Sequence, residues 1–514
     1  MRGEALEVEG YALEVGCSPV SDLIKRWPPI VWAGLAALAA ILPILINGGP
    51  LFYFDTASYI DQGASILKTF GISPEGASAS GGGAAADVAA DDGDGAIVGS
   101  RAAVYALFLI VFQVTAGLTA LAVAQILLFA ATLWLVARGI VRMTGHSNAF
   151  LFTSLAMLAG GVTALPFVAG YLMPDIFAPI LVLSVAALTV FWPHLRIWEI
   201  LALLALGAFA TVTHPSHFLI AVLLVPTAAI ATVLVRGFKT WWLAPLLVTA
   251  IVGAAFVERV AFTTAAKTVK RAEVVYQPFL TVRAVADGPG YAYLEEHCPD
   301  ATIAACALYE ALQLSDDPER LTATNIMFAR SEELGSFERL PQEVQGAIAT
   351  SQVPFFLNVA LDRPIDMGLA LFGNVMDQMT RVSVRLSVPT PRMVEQMQAI
   401  TAYMPDGLEE ARFLGDRGWI KSVDLLHNTL YLASAAALLV FFFWPGLRAP
   451  WEMRVFVLVI LGGIVVNAVV CGGISQPSAR YGARMIFLLP IAAVWLAVLR
   501  PGRGSQAERG GAST

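Results

Sequence analysis

Charge is what this chain has least of. Only 14% of its 514 residues are Asp, Glu, Lys or Arg, against about 25% in a soluble domain. With 57% hydrophobic residues, that scarcity excludes a water-soluble globular protein and leaves an integral membrane protein. Lysine is rarer still: six of the 32 cationic residues, so the residues that report topology are almost all arginines. The net charge of −7 comes with no basic tract, which excludes nucleic acid as a partner. Four cysteines are too few for a disulfide scaffold. Cys298 and Cys306, eight apart in a polar stretch, could form a local disulfide or stand as two buried thiols, and their spacing matches no zinc signature. Internal repeats and nucleotide-binding loops are also missing.

What the chain does have is long apolar runs. The first, Ile30–Ile46, lacks a small-residue cleavage site and ends in Asn47-Gly48-Gly49-Pro50. It reads as a retained transmembrane helix with Lys25 and Arg26 on its cytoplasmic side. The stretch Arg101–Val141 is too long for one crossing and barely enough for two at about 20 residues each. One span over Gly117–Ala137, preceded by a helix on the outer face, satisfies the positive-inside bias. Further spans are expected at Asn148–Leu165, Pro174–Trp192, Ile197–Thr213, Ser216–Val235, Trp241–Val257, Val423–Phe443, Trp451–Cys471 and Arg480–Leu499. This arrangement of about ten spans puts Arg138, Arg142, Arg196, Arg236, Lys239, Arg448, Arg454, Arg500 and Arg503 in the cytoplasm.

The expected fold is an all-α polytopic membrane protein. Residues 1–29 form a cytoplasmic segment, 30–257 a transmembrane core, 258–422 an external and mostly helical region, 423–499 the last spans and 500–514 a cytoplasmic tail. The first external loop, 47–100, contains a Gly/Ala/Asp-rich insert, Ser73–Gly99, too poor in bulky apolar residues to fold. Its acids Asp87, Asp91, Asp92 and Asp94 do not follow the calcium-loop pattern. Within the external region, Asp300–Leu314 and Asp317–Leu334 show helical spacing. Pro354–Met379 is apolar enough to lie on the membrane or over the bundle, with a break at Asp362-Arg363-Pro364.

This topology brings the ionisable residues of the outer face into one inventory. Loop one supplies Asp55 and Asp61 among Phe52, Tyr53, Phe54 and Tyr59. An acid beside aromatics at a membrane mouth is a candidate general base or contact for a divalent cation. Asp61 lies six residues on, off the helical face of Asp55. Asp175 follows Pro174 where the fourth span begins, so it can cap that helix or act as a second catalytic acid. His214 and His217 flank Pro215 and can meet a phosphate or a metal, or bond to nearby carbonyls. The seventh span ends in Glu258 and Arg259, followed by Lys267, Lys270 and Arg271. Arg480 and Arg484, one helical turn apart around Tyr481, run against the positive-inside bias and suit a lipid phosphate.

A first span, an external loop with an acid, then a juxtamembrane helix before span two resembles the GT-C superfamily of polytopic membrane glycosyltransferases. The resemblance covers roughly Ile30 to Thr213 and rests on Asp55 in the first external loop and Asp175 in the second. It implies a polyprenyl-phosphate-linked sugar donor, an acceptor at the external face of the inner membrane, Asp55 as base or metal contact and Asp175 as a second acid. By position, Arg480 and Arg484 would bind phosphate, with His214, His217, Tyr481 and Asp61 lining the substrate. A lipid or polysaccharide transporter, or a non-catalytic assembly protein of the cell envelope, is the alternative. A transporter should carry acids or breaks midway through its spans, and an assembly protein would not need Asp55.

Overall fold

A computed structural model describes residues 26–69, 71–72, 96–98, 102–269, 273–275, 277–300, 302–400 and 408–499. Apart from one isolated bridge between Leu51 and Tyr171, its only strand pairing joins Ala96–Val98 in parallel to Glu273–Val275. Everything else described is helix or connection. Eight helices among the described residues are long and apolar enough to cross a membrane: Pro29–Asn47, Leu118–Thr144, Pro215–Arg236, Phe238–Thr268, Gln342–Asp362, Trp419–Phe443, Trp451–Ser475 and Ala479–Val498. The described residues are therefore those of a predominantly helical polytopic membrane protein.

Helix α1 (Pro29–Asn47) starts on a proline, whose missing N–H costs nothing at that position, and stops at Gly48. Gly48 takes φ +82°, and its N–H closes the helix onto the Ile44 carbonyl. Helix α2 (Phe54–Thr69) carries Asp55 in its first turn. Helix α3 (Ala103–Thr115) packs along α2, where Gly63 lets the backbones meet: a Cβ there would lie 2.5 Å from the Ala106 carbonyl oxygen. Helix α4 (Leu118–Thr144) then runs as one long apolar helix. The division of Arg101–Val141 into a short helix and a single span thus agrees with the expectation, with α4 continuing past Ala137.

Helices α5 (Ala149–Gly161), α6 (Phe177–Val190) and α7 (Ile197–Val212) stand where three spans were expected but are shorter. At 13, 14 and 16 residues they reach about 20–24 Å, less than a hydrocarbon core of about 30 Å. Close packing explains part of this: α5 ends at Gly161, where a Cβ would meet Ala39 of α1 at 2.9 Å. Every residue of α6 is buried, as a helix apolar on all sides should be. It is the axis of the main core, and Asp175 sits in the 3-10 turn Pro174–Ile176 that leads into it.

Helix α8 (Pro215–Arg236) is followed by α9 (Leu243–Val269). The expected end of that span at Val257 is too early. The helix continues through Glu258, Arg259 and Lys267 because alanines and threonines carry the helical pattern beyond the acid. Lys270 and Arg271 lie outside the described residues, as do most of the Ser73–Gly99 insert and both chain ends. The end of that insert is corrected by the structure: Ala96–Val98, which holds its only isoleucine, forms a strand.

A second hydrophobic cluster is built by α10 (Phe279–Ala286), α11 (Pro289–His297), α12 (Cys306–Leu312), α13 (Ala323–Phe328), α14 (Gln342–Asp362) and the start of α15 (Pro364–Thr380). Helix is less extensive here than expected: only 306–312 of Asp300–Leu314 and 323–328 of Asp317–Leu334 are α-helical. Pro318 and the Asp317 side chain set a separate 3-10 turn at 318–321. Cys298 and Cys306 form a disulfide. The break at Arg363-Pro364 falls where expected, with Pro364 opening α15. After α16 (Pro391–Ile400), the chain returns to α17 (Trp419–Phe443) and α18 (Trp451–Ala468). Helix α18 loosens into a π-helix, Val469–Ser475, before α19 (Ala479–Ile486) and α20 (Leu488–Val498).

Candidate functional site

Loop one is tied to the loop before α6 by backbone bonds. Leu51 N–H donates to the Gly170 carbonyl and Leu172 N–H to the Leu51 carbonyl, at 2.8 and 2.7 Å. Thr56 of α2 donates its hydroxyl to the Leu172 carbonyl at 3.2 Å and accepts from Tyr53 N–H. Asn47 reaches in the other direction, accepting from Phe413 N–H at 3.1 Å. These bonds fix the first turn of α2, and with it Asp55, beside the turn that carries Asp175. Gln125 on α4 holds the same loop from behind, donating to the Ala169 and Tyr171 carbonyls at 3.0 and 2.9 Å.

Helix α19 delivers both arginines to these acids. Arg480 Nε lies 2.9 Å from Asp175 Oδ2, and its Nη1 lies 3.3 Å from Asp55 Oδ2. Arg484 Nη1 lies 3.4 Å from Asp175 Oδ1. Four charges from three distant parts of the chain thus form one neutral cluster. The acids contribute two charges against two, so each buried cation has a counter-ion.

The surroundings of the two arginines differ. Arg484 is engaged by neutral groups: Nε and Nη2 donate to Asn467 Oδ1 at 3.1 and 2.8 Å, and Nη2 also approaches Ser216 Oγ at 3.2 Å and Cys471 Sγ at 3.0 Å. Arg480 is walled by rings, with Tyr53, Tyr171 and Tyr481 centred 5.1, 5.9 and 5.6 Å from its guanidinium carbon. Burial separates the four charged side chains decisively. Arg480, Arg484 and Asp175 are 6%, 1% and 1% exposed, whereas Asp55 is 27% exposed.

The histidines occupy structural positions beside this cluster. His214 Nδ1 accepts from Ser216 N–H at 3.1 Å and caps α8; Ser216 Oγ lies 2.7 Å from the same nitrogen. His217 is buried, with Nδ1 2.8 Å from the Ala210 carbonyl. Carbonyl and capping bonds therefore account for both Nδ1 atoms, and Ser216 links the pair to Arg484. Asp61, six residues beyond Asp55, is turned about 120° away around α2 and is half-buried. No group of three or more His, Cys, Asp or Glu that could hold a metal ion occurs among the described residues.

Sequence reading brought Asp55, Asp175, Arg480 and Arg484 to one place, and the structure joins them. Beside the Tyr53 already placed next to Asp55, the site holds Tyr171, Ser216, Gln125 and Gln378, which no sequence pattern marks as its members, and Asn467. The signal for Asn467 was present: an amide in an otherwise apolar span, four residues before Cys471, faces the same side as that thiol. Gln378 of α15 grips the segment before α19 with both amide atoms, donating to the Ser478 carbonyl at 3.0 Å and accepting from Ser478 N–H at 2.8 Å. No protein-family model, curated protein or solved structure matches this chain.

Proposed function

We propose that the chain is a membrane glycosyltransferase that moves a sugar from a polyprenyl-phosphate donor to an acceptor hydroxyl at the outer face, with Asp55 as general base. The observation that carries this reading is the selective access to Asp55. Of four clustered charges it keeps the largest exposure, while its counter-ion Arg480 stands behind it in a cage of tyrosines. A carboxylate held by a fixed cation and open on one side is placed to accept a proton.

In this reading the acceptor O–H gives its proton to Asp55 as its oxygen bonds to the anomeric carbon. The bond from that carbon to the donor phosphate oxygen breaks, and polyprenyl phosphate leaves with the electron pair. Arg480 both orients Asp55 and offers Nη2 to the leaving phosphate. Asp175 holds Arg480 and Arg484 rather than meeting substrate, and Arg484, bonded to Asn467 and Asp175, fixes α19. The proposed topology counts seven of the eight long helices and adds α5, α6 and α7, giving about ten spans, with both termini cytoplasmic and the site outside an inner membrane. Gln342–Asp362 is left out because it packs in the second hydrophobic cluster, which we assign to the external region.

The test uses the full chain in lipid nanodiscs with polyprenyl-phosphate-linked glucose, mannose and arabinose as probe donors. Wild-type protein releases polyprenyl phosphate from one of them when acceptor is supplied, and Asp55→Asn does not, while its thermal unfolding stays close to wild type. Transfer at wild-type rate by Asp55→Asn overturns the assignment of the base. Failure of every donor, together with lipid translocation by the same preparation, moves the protein to the transporter class.

A further inference from the structure

Helix α15 has three faces, and each has a different environment. Met367, Leu371, Asn374 and Gln378 point inward, against the π-helix and the segment before α19. The approach is close: a Cβ on Gly472 would lie 2.7 Å from the Asn374 carbonyl oxygen, and one on Gly482 would overlap the Arg381 carbonyl. Roughly opposite, at steps of four, three, four and three residues, run Ile365, Leu369, Phe372, Met376 and Met379, all between 37% and 73% exposed. That spacing is one continuous stripe on an α-helix. Asp366 and Asp377 lie together on one flank of it, about 120–140° around from Phe372.

We propose that α15 lies in the plane of the membrane with this stripe in the acyl region of the leaflet on the site side. Three observations commit the surface to lipid. The π-helix under α15 continues α18, a candidate span, and Val465 and Val469 on that continuous element are themselves exposed. On the topology proposed above, the stripe therefore extends a surface that faces hydrocarbon. Val353, Leu357 and Leu361 of α14, also exposed, lead into it at four-residue steps. The acids stand apart on their own flank, as on helices that rest at an interface with a polar side toward water. The consequence for the site is mechanical. Gln378 sits on the inward face of the same helix and holds Ser478, two residues before Arg480, so lipid seating of α15 sets the position of α19.

This inference is independent of the transfer reaction. Of the native cysteines, Cys298 and Cys306 are disulfide-bonded and Cys471 is buried; in a Cys17→Ser background, Phe372→Cys, Leu369→Cys and Asp366→Cys are each labelled with an environment-sensitive nitrobenzoxadiazole dye. The full chain is then placed in nanodiscs of phosphatidylethanolamine and phosphatidylglycerol. Doxyl-labelled lipid is expected to quench the dye at Phe372→Cys and Leu369→Cys several-fold more strongly than at Asp366→Cys, and aqueous iodide to show the reverse order. Iodide quenching equal at all three positions overturns the proposal. Deep lipid quenching at all three also overturns it, because the helix would then cross the membrane. Cysteine crosslinks between two copies through Phe372→Cys, in nanodiscs large enough to hold two copies, would assign the stripe to a self-interface instead.

Discussion

Two acid–arginine clusters sit at opposite ends of the same helices, and they are built in inverse ways. Helix α4 has Gln125 at the site loop and Arg138 and Arg142 some 20–25 Å further along. Helix α7 begins at the second cluster with Glu199 and ends at Thr213 beside His217. At the second cluster Glu199 is fully buried and receives Arg138 Nε, Arg142 Nη1 and Nη2, and the Arg196 N–H. Its two arginines are 23% and 27% exposed, and Arg138 lies over Trp134 and Trp198. There the acid is sealed and the cations reach out, as guanidinium groups snorkelling toward phosphate head groups do. At the candidate site the cations are sealed and one acid reaches out. Two cations against one acid suits an anchor; two against two, with an open carboxylate, suits proton transfer.

The comparison breaks most sharply at the sealed acids. Asp175→Ala leaves Arg480 and Arg484 buried with Asp55 as their remaining acid, and about 3–5 kcal/mol of stability should be lost. Unfolding of the purified protein in nanodiscs, followed by heat or denaturant, measures it. Glu199→Ala removes the corresponding acid, but its arginines already touch water and can turn to it. A smaller loss of about 2–3 kcal/mol is expected. Equal losses for the two variants would erase the distinction drawn from burial.

Gln378→Ala comes next. It deletes two hydrogen bonds to Ser478 in a partly buried setting, worth about 1–2 kcal/mol together. Its effect on the rate of the site's chemistry should exceed its effect on stability, because the freed segment carries Arg480. Gln378→Glu, which keeps the acceptor but loses the donor, should recover part of both. A variant with full activity and lowered stability would reduce Gln378 to a purely structural clamp.

The parts of this arrangement that carry charge were legible in the sequence, and the neutral parts were not. Charge has a cost in a membrane and a sidedness, so Asp55, Asp175, Arg480 and Arg484 could be assigned to one face before any contact was known. Tyr171 and Gln378 carry no such mark. They matter through partners about a hundred residues or more away, and nothing local distinguishes them from packing residues. For the histidines the sequence left two readings open, a shared ligand or bonds to nearby carbonyls; the turn between α7 and α8 offers carbonyl and N–H groups, and the Nδ1 atoms serve those. Glu199 was overlooked because it stands in an apolar helix near several arginines, and only its burial shows that it is the acid those arginines enclose. Helices α5, α6 and α7 are shorter than the apolar stretches that predict them, because hydropathy counts apolar residues and does not mark where a helix ends, as at Gly161 of α5.

Asp55→Asn is the smallest expected change in stability and the one that separates the two clusters by function. Its carboxylate is more than a quarter exposed, and its ion pair with Arg480 is at 3.3 Å. An asparagine there keeps an oxygen acceptor for Arg480 while removing the charge, at a cost of about 1 kcal/mol or less. Arg138→Gln at the other cluster should have a similarly small effect, since Arg142 still holds Glu199 through both of its terminal nitrogens. Two substitutions of matched, minor structural cost then differ only in what they expose. Loss of transfer in Asp55→Asn with transfer intact in Arg138→Gln would make the open carboxylate the working group. The same unfolding curves and the same activity in both would mean that the Asp55 cluster, like the Glu199 cluster, only binds helices together.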